Sequence, residues 1–453
     1  MSTVALDDAL EQFQWKPQPE AGRLVAEIVD QFAAKNAFFH NFRDRLLKEA
    51  GVRALDLIDY AALPADDKLR TRLEQAGFIR SQSDLPEVYV QPHGIFPAVA
   101  LQPEKSTRLA IKVEHAADFL ATWRLDTKIT GSPLSPVRTA PVFSENGTDL
   151  IVVERHGSRA FSAKNWNLAP AALKHYESLR LRRRQFENDQ DGFALAHQLI
   201  DAAIADLGRD YTCDIFFAAE RDYWMIRNHA ARVQFARQQR MGIGWANHDH
   251  HTYRSSRKNF THLIAMWEKL GFELRERYHA GLQAGWGAQI VEQPATNIIT
   301  FNDVDLTPEE LFNDFAHEPL GELPKFGTVG LWCALHGDSF LQAGMHHLEA
   351  MFDFNSLRDQ LEKDEGVKTM KPFTNFPYLT QAFTEGERWQ VSESRISRLL
   401  QSGLISQTQA DQFRAQGAIG SHLENLERND GFKGFNQSGV SEIIAATDPR
   451  KHS

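Results

Sequence analysis

Asn247-His248-Asp249-His250-His251-Thr252-Tyr253-Arg254 gathers three histidines, a carboxylate and a guanidinium into eight residues. Read as a strand, alternate side chains share a face. His248, His250, Thr252 and Arg254 then point one way, and Asp249, His251 and Tyr253 the other. An imidazole with a guanidinium four residues on offers one cavity a metal ligand and an anion clamp, provided that partners come from elsewhere. The flanking pattern extends the strand into a module. A strand over Asp249–Ser255 is followed by an amphipathic helix over Phe260–Leu270 that Gly271 ends. Strands are expected at Phe272–Tyr278, Ala288–Glu292 and Asn297–Phe301, which completes a βαβββ unit.

A helix at Pro308–Ala316 and a Gly/Pro-rich connector, Glu318–Gly330, separate this unit from a second. The second opens near Gly344-Met345-His346-His347-Leu348-Glu349-Ala350-Met351. It continues through a helix at Phe354–Asp364 and strands at Val367–Met370 and Tyr378–Phe383. The run Thr384-Glu385-Gly386-Glu387-Arg388-Trp389 stands at its end. A paired histidine therefore recurs on the first strand of each unit. The polar tail reads as helices at Ser392–Leu400, Gln407–Ala415 and Ser421–Arg428. Beyond them comes a turn-rich approach to a short helix ending at Thr447.

The first half is less committed. Leu24–Ala50 is helical, Leu55–Ala76 reads as two short helices, and strands are expected at Val88–Val90, Phe96–Leu101 and Leu109–Val113. Strands at Val137–Phe143 and Leu150–Glu154 flank the turn signal Glu145-Asn146-Gly147. Leu109–Val113 followed by a helix at Ala116–Trp123 repeats the strand-helix opening of the later modules. Residues 1–235 are thus a mixed, partly helical unit, read as a degenerate copy, scaffold or lid without an equivalent ligand set. Residues 240–453 are expected to form a metal-binding domain. The basic run Leu179-Arg180-Leu181-Arg182-Arg183-Arg184-Gln185 reads as a solvated helix face or a set of ion pairs.

Bulk properties narrow the classes. A chain of 453 residues with 42% hydrophobic and 24% charged residues is ordinary globular protein of two or three domains. A net charge of −10 argues against nucleic-acid binding as the main business. Cys213 and Cys333 cannot build a disulfide framework or a Cys-rich zinc site, which fits a reducing compartment. No apolar run suits a membrane helix and the first residues lack a signal-peptide pattern, so the expected location is the cytoplasm. The oligomeric state is not legible.

Two neutral imidazoles and one carboxylate on one side of a metal form the facial triad that suits non-haem iron(II) and leaves positions open. His250, His347 and Glu387 have the right types, one from each of three expected strand ends. Strand alternation admits only one of His250 and His251, and one of His346 and His347, to a cavity. Glu385 is an alternative to Glu387, and Arg254 would hold a substrate carboxylate. Glu292 is a rival carboxylate; a fourth protein ligand would suit an isomerase or lyase instead. A binding module with purely structural histidines is the remaining alternative.

Asp249-His250-His251-Thr252-Tyr253-Arg254 resembles the Asp-His-x-x-x-Arg first-strand motif of the hydroxyglutarate synthase family, also called 2-oxoadipate dioxygenase/decarboxylase. His346-His347-Leu348-Glu349 is similar to that family's Asn-His-Leu/Phe-Thr motif, without its Asn and Thr. Glu385-Gly386-Glu387-Arg388 is similar to its Glu-x-Glu-Gln motif, with Arg388 where Gln is usual. The segment from Gly434-Phe435-Asn436-Gln437 to Asp448 is similar to its closing segment. The resemblance spans about residues 240–450. It implies an α+β fold of paired βαβββ modules of the vicinal-oxygen-chelate type. It also implies iron(II) held by His250, His347 and Glu387, with Arg254 on the substrate. The implied reaction takes a 2-oxo acid and dioxygen to a hydroxy acid and carbon dioxide.

Overall fold

The computed structural model describes residues 15–85, 87–163, 165–280 and 284–436. The short helix expected to end at Thr447, and most of the closing segment, lie outside the described residues.

After helices at Pro19–Ala33 and Ala37–Ala50, β1 (Ile58–Pro64) runs into a helix at Asp67–Gln75. Strands β2 (Ile79–Ser81), β3 (Val88–Val90) and β4 (Ala98–Gln102) complete a βαβββ unit. A second unit adds β5 (Thr107–Lys112), a helix at Ala116–Trp123, β6 (Val137–Glu145) and β7 (Thr148–Arg155). These strands form one sheet in the order β2-β3-β4-β1-β5-β7-β6. Helices at Ala169–Arg180, Asp189–Leu207, Arg209–Ile226 and His229–Gln239 link it to the second half.

There, β8 (His248–Arg254), a helix at Phe260–Lys269, β9 (Glu273–His279), β10 (Trp286–Gln293) and β11 (Ile298–Asp305) make the expected βαβββ unit. The second unit has β12 (His347–Met351), a helix at Phe354–Glu365, β13 (Thr374–Phe376), β14 (Leu379–Phe383), β15 (Glu387–Trp389) and β16 (Ala418–Arg428). The sheet order is β13-β14-β16-β12-β8-β11-β10-β9, with β15 also paired to β16. The architecture is α+β, built from paired βαβββ modules with additional helices. Among the described residues no helix is long and apolar enough to cross a membrane.

The two sheets share one plan, in which β1, β4, β5 and β7 stand as β8, β11, β12 and β16 do. Their registers also correspond. Ile58 faces Ile111 and Tyr60 faces Ala110, so Asp59 is the extra residue of a bulge. His248 faces Ala350 and His250 faces Glu349, so Asp249 is the extra residue of the matching bulge. Ala110 then pairs with Ile151, as Glu349 pairs with Glu424. In both halves an arginine four residues farther along closes the arrangement. Arg155 binds Asp59 at 2.7 Å, and Arg428 binds Asp249 at 2.9 Å. The strands that carry these arginines end alike, Leu150-Ile151-Val152-Val153-Glu154-Arg155 and Leu423-Glu424-Asn425-Leu426-Glu427-Arg428.

Several sequence expectations are corrected. Ser421–Arg428 is strand, part of β16, and not a helix. Leu423 and Leu426 have helical spacing, but a strand buried on both faces needs no alternation. The interval expected as two helices contains β1. Pro308–Ala316 is reduced to a single 3₁₀ turn at Pro308–Phe312, capped by Thr307 and Glu310. In the basic run, by contrast, one of the two expected alternatives holds: Arg182 and Arg184 are buried in ion pairs on Glu220, Arg182 at 2.9 Å. Glu220 also accepts from the Tyr253 hydroxyl at 3.4 Å, which anchors the linking helices to β8.

Candidate metal and substrate site

The strand β8 delivers His250, Thr252 and Arg254 to one small cavity, as alternation requires. His251 and Tyr253 pack on the opposite face against Phe217. His248 departs from the expected alternation. The bulge at Asp249 turns it to the side of His251, with ring centroids 5.4 Å apart. The neighbouring β12 contributes His347 and Glu349 to the cavity, and β16 contributes Glu424.

These side chains converge. Ligand atoms of His250, Glu349 and Glu424 all lie within 4.8 Å of one another. His250 Nε2 stands 2.7 Å from Glu349 Oε1, and His347 Nε2 stands 2.6 Å from the same oxygen. His347 Nε2 is 3.6 Å from Glu424 Oε2. Thr252 Oγ1 donates to Glu349 Oε1 at 2.9 Å, and Gln381 Nε2 donates to Glu424 Oε1 at 2.8 Å. His346, the other member of its pair, turns away and stacks on His422 at 5.4 Å.

Electrostatics prepare the group for a cation. Burial pushes the His250 pKa down to about 4 despite the pull of Asp249, and burial lowers His347 strongly, helped by His422 and His250. Both imidazoles are therefore neutral, the form that ligates metal. Burial raises Glu349 and Glu424 together, because two carboxylates share a dry site. Glu349 Oε2 is buried without a hydrogen-bond partner among the described residues. A single oxygen facing two imidazole nitrogens, beside a second carboxylate, is a donor set that a divalent cation satisfies.

Behind His250, Asp249 Oδ2 lies 2.7 Å from His250 Nδ1, while Arg428 grips the same carboxylate with Nε and Nη2, each at 2.9 Å. Burial raises Asp249, but Arg428 and His250 outweigh it and hold the carboxyl well below its usual range. A carboxylate on Nδ1 fixes the tautomer and leaves Nε2 to face the cavity. Arg254 is also buried. Its Nε reaches Asp303 Oδ2 only at 3.4 Å, and its Nη1 has no partner among the described residues. Burial pushes Asp303 up to about 7 against the pull of Arg254. Tyr278, Trp286, Phe301, Phe373, Phe383 and Phe435 wall the cavity, whose volume is about 50 Å³.

Of the residues singled out by sequence, His250, His347 and Arg254 meet here and Glu387 does not. Its carboxylate accepts from the backbone N–H of His229 at 3.0 Å, because β15 pairs at Ser421 and ends at the rim of β16. Glu424 stands in the cavity instead. Glu292 also lies elsewhere, bound to Lys433 at 2.7 Å. The sequence reading missed Glu349, Glu424 and the Asp249–Arg428 pair. The signal that finds Glu424 and Arg428 is the kinship of Leu423–Arg428 with Leu150–Arg155, a recognisable strand.

No family model matches the chain, and no curated protein matches it. Among solved structures it is similar to a protein described as a glyoxalase superfamily member from Ralstonia eutropha JMP134. That match has 12% identity and a TM-score of 0.34, covering 60% of this chain and 96% of that one. A triple mutant of 4-hydroxymandelate synthase from Streptomyces coelicolor matches at 13% identity and a TM-score of 0.28, over 87% and 98%. Methylmalonyl-CoA epimerase from Mycobacterium tuberculosis matches at 11% identity and a TM-score of 0.23, over 40% and 88%. At such identities the chemistry of the site is read from its own side chains.

Proposed function

We propose that the chain is a non-haem iron(II) dioxygenase/decarboxylase that converts a small 2-oxo acid and dioxygen to a hydroxy acid and carbon dioxide. One observation carries this reading. His250, His347 and Glu424 converge in a buried cavity that also receives the unpaired Nη1 of Arg254. Those three residues would hold the metal, with Glu349 beside them. Iron(II), when bound, supplies Lewis acidity and one-electron access to dioxygen.

The chain's own groups do the rest. Arg254 receives the substrate carboxylate on the free edge of its guanidinium, a geometry that lysine lacks. Asp303, raised to about 7, stays close enough to orient the guanidinium yet holds it by only one long hydrogen bond. The aromatic wall excludes bulk water, which strengthens each polar contact within. Asp249 keeps Nδ1 of His250 protonated so that Nε2 remains a ligand. The N-terminal half serves as a scaffold. Tyr60, Ala110 and Ile151 stand at the positions of His250, Glu349 and Glu424, and they include no metal-ligand pair.

Glu349 favours one second reading. A site with two imidazoles and two carboxylates fills four protein positions and suits a metal-dependent isomerase or lyase. Glu349, and not Glu292, takes the role of the extra carboxylate in that reading. Oxygen consumption by the iron-loaded chain over a panel of 2-oxo dicarboxylates decides between them. Uptake coupled to carbon dioxide release supports the dioxygenase. Substrate C–H exchange with deuterated solvent, with no oxygen uptake, supports the isomerase or lyase.

A further inference from the structure

Across β8 from the metal site lies a much larger cavity, about 1400 Å³, bounded by both sheets. Both matching bulges border it, since Ile58, Asp59 and Arg155 from one sheet and His248, Asp249 and Arg428 from the other are among its lining residues. Such a volume exceeds what a drug-sized ligand needs. Its acidic groups near the bulges are already engaged. Asp59 is held by Arg155, Asp249 by Arg428, and Asp56 by Arg53 at 2.7 Å. Asp214 is 2.9 Å from His156 Nδ1.

Lys112 and Arg221 are not engaged in this way. Lys112, on β5, lines the cavity and makes no hydrogen bond or ion pair within bonding distance among the described residues. Arg221 is buried, its Nε has no partner among those residues, and its nearest acid, Glu114, stands 3.8 Å away. Its Nη1 reaches His251 Nε2 only at 3.4 Å. Lys112, Arg221 and His248 line the same cavity, and His251, which Arg221 reaches, has its ring centroid 5.4 Å from that of His248. Burial lowers Lys112 itself, although Asp59, Asp249 and Asp56 pull the other way. An unpaired cation in a dry site costs stability unless something occupies it. Apolar groups, among them Ile215, Met225, Phe235, Trp245 and Ile299, line the same cavity.

We propose that this central cavity is a second ligand site, which takes a small organic monocarboxylate with an apolar body, its carboxylate on Lys112 and Arg221. A single negative charge fits because Glu114 already balances part of Arg221. The site is separate from the metal cavity, and Asp249 is the residue between them. It touches the central cavity and also holds His250.

The internal repeat provides the substitution that tests it. Lys112 lies two residues beyond Ala110 on β5, and Met351 lies two beyond Glu349 on β12, so Lys112→Met installs the residue that the other half carries. Octanoate binding to the full chain is measured by calorimetric titration, alongside thermal unfolding of each variant. Wild type is expected to bind octanoate and to melt higher in its presence. Lys112→Met is expected to melt no lower than wild type without ligand and to bind at least tenfold more weakly. Arg221→Gln weakens binding as well, and Arg254→Gln, in the metal cavity, leaves it unchanged. Should Lys112→Met fail to fold, Lys112→Gln replaces it. Absence of octanoate binding by wild type overturns the proposal. So does equal binding by the Lys112 variant, or a loss confined to Arg254→Gln.

Discussion

Arg428 and Asp249 form a buried bidentate pair, Nε to Oδ1 and Nη2 to Oδ2, each at 2.9 Å, and the same carboxylate lies 2.7 Å from Nδ1 of His250. The pair therefore has two tasks, joining β16 to β8 and orienting the His250 imidazole. Asp249→Asn keeps the shape but leaves the Arg428 guanidinium buried without its counter-charge. A loss of roughly 3–5 kcal/mol in unfolding free energy is expected. Metal affinity is expected to fall about 10- to 100-fold, as for other groups that hold a ligand from behind. Denaturant unfolding and competitive chelator titration measure the two effects separately.

Arg254→Gln addresses the clamp. The variant should retain metal and lose substrate, with KM raised far more than kcat is lowered if the carboxylate is bound alike in ground and transition states. A silent substitution would remove Arg254 from the site. Steady-state kinetics over a range of acid chain lengths makes the distinction.

Alkaline pH should weaken the N-terminal half through His156. Burial opposes its charge, but Asp214 at 2.9 Å and Glu154 at 3.0 Å outweigh burial and raise its pKa to about 9. The Tyr211 ring lies 5.7 Å away, tilted to the imidazole, and Arg138 shares Glu154. Because the folded value lies above the ordinary 6.5, protonated His156 favours the fold. That contribution is complete below pH 6.5 and disappears as pH rises through about 9. It is on the order of 3 kcal/mol. Thermal melts from about pH 6 to 10 should fall for wild type and fall less for His156→Gln. Parallel profiles for the two proteins would contradict the assignment.

How far the site is legible in the sequence depends on the kind of strand that carries each residue. The strand β8 announces itself through alternation, and His250 with Arg254 comes with it. His347 emerges from the recurrence of a paired histidine on a first strand. Glu424 does not, because β16 is buried on both faces and its leucines fall three apart, as on a helix. Burial against β12, β14 and β15 decides its conformation, and a local window contains none of those partners. Glu387 is attractive because its neighbours read as a strand end; they are one, but pairing places its carboxylate on His229. The bulge at Asp249 is equally invisible, since an extra residue is defined only against the strand opposite.

Metal stoichiometry in Glu424→Gln and Glu387→Gln, set beside wild type and His347→Ala, tests the metal centre most directly. With iron(II) or manganese(II) added under anaerobic conditions and the excess removed, wild type and Glu387→Gln should each retain about one ion per chain. Glu424→Gln and His347→Ala should retain far less. Full retention by Glu424→Gln with loss by Glu387→Gln, or no retained ion in wild type, would contradict the account.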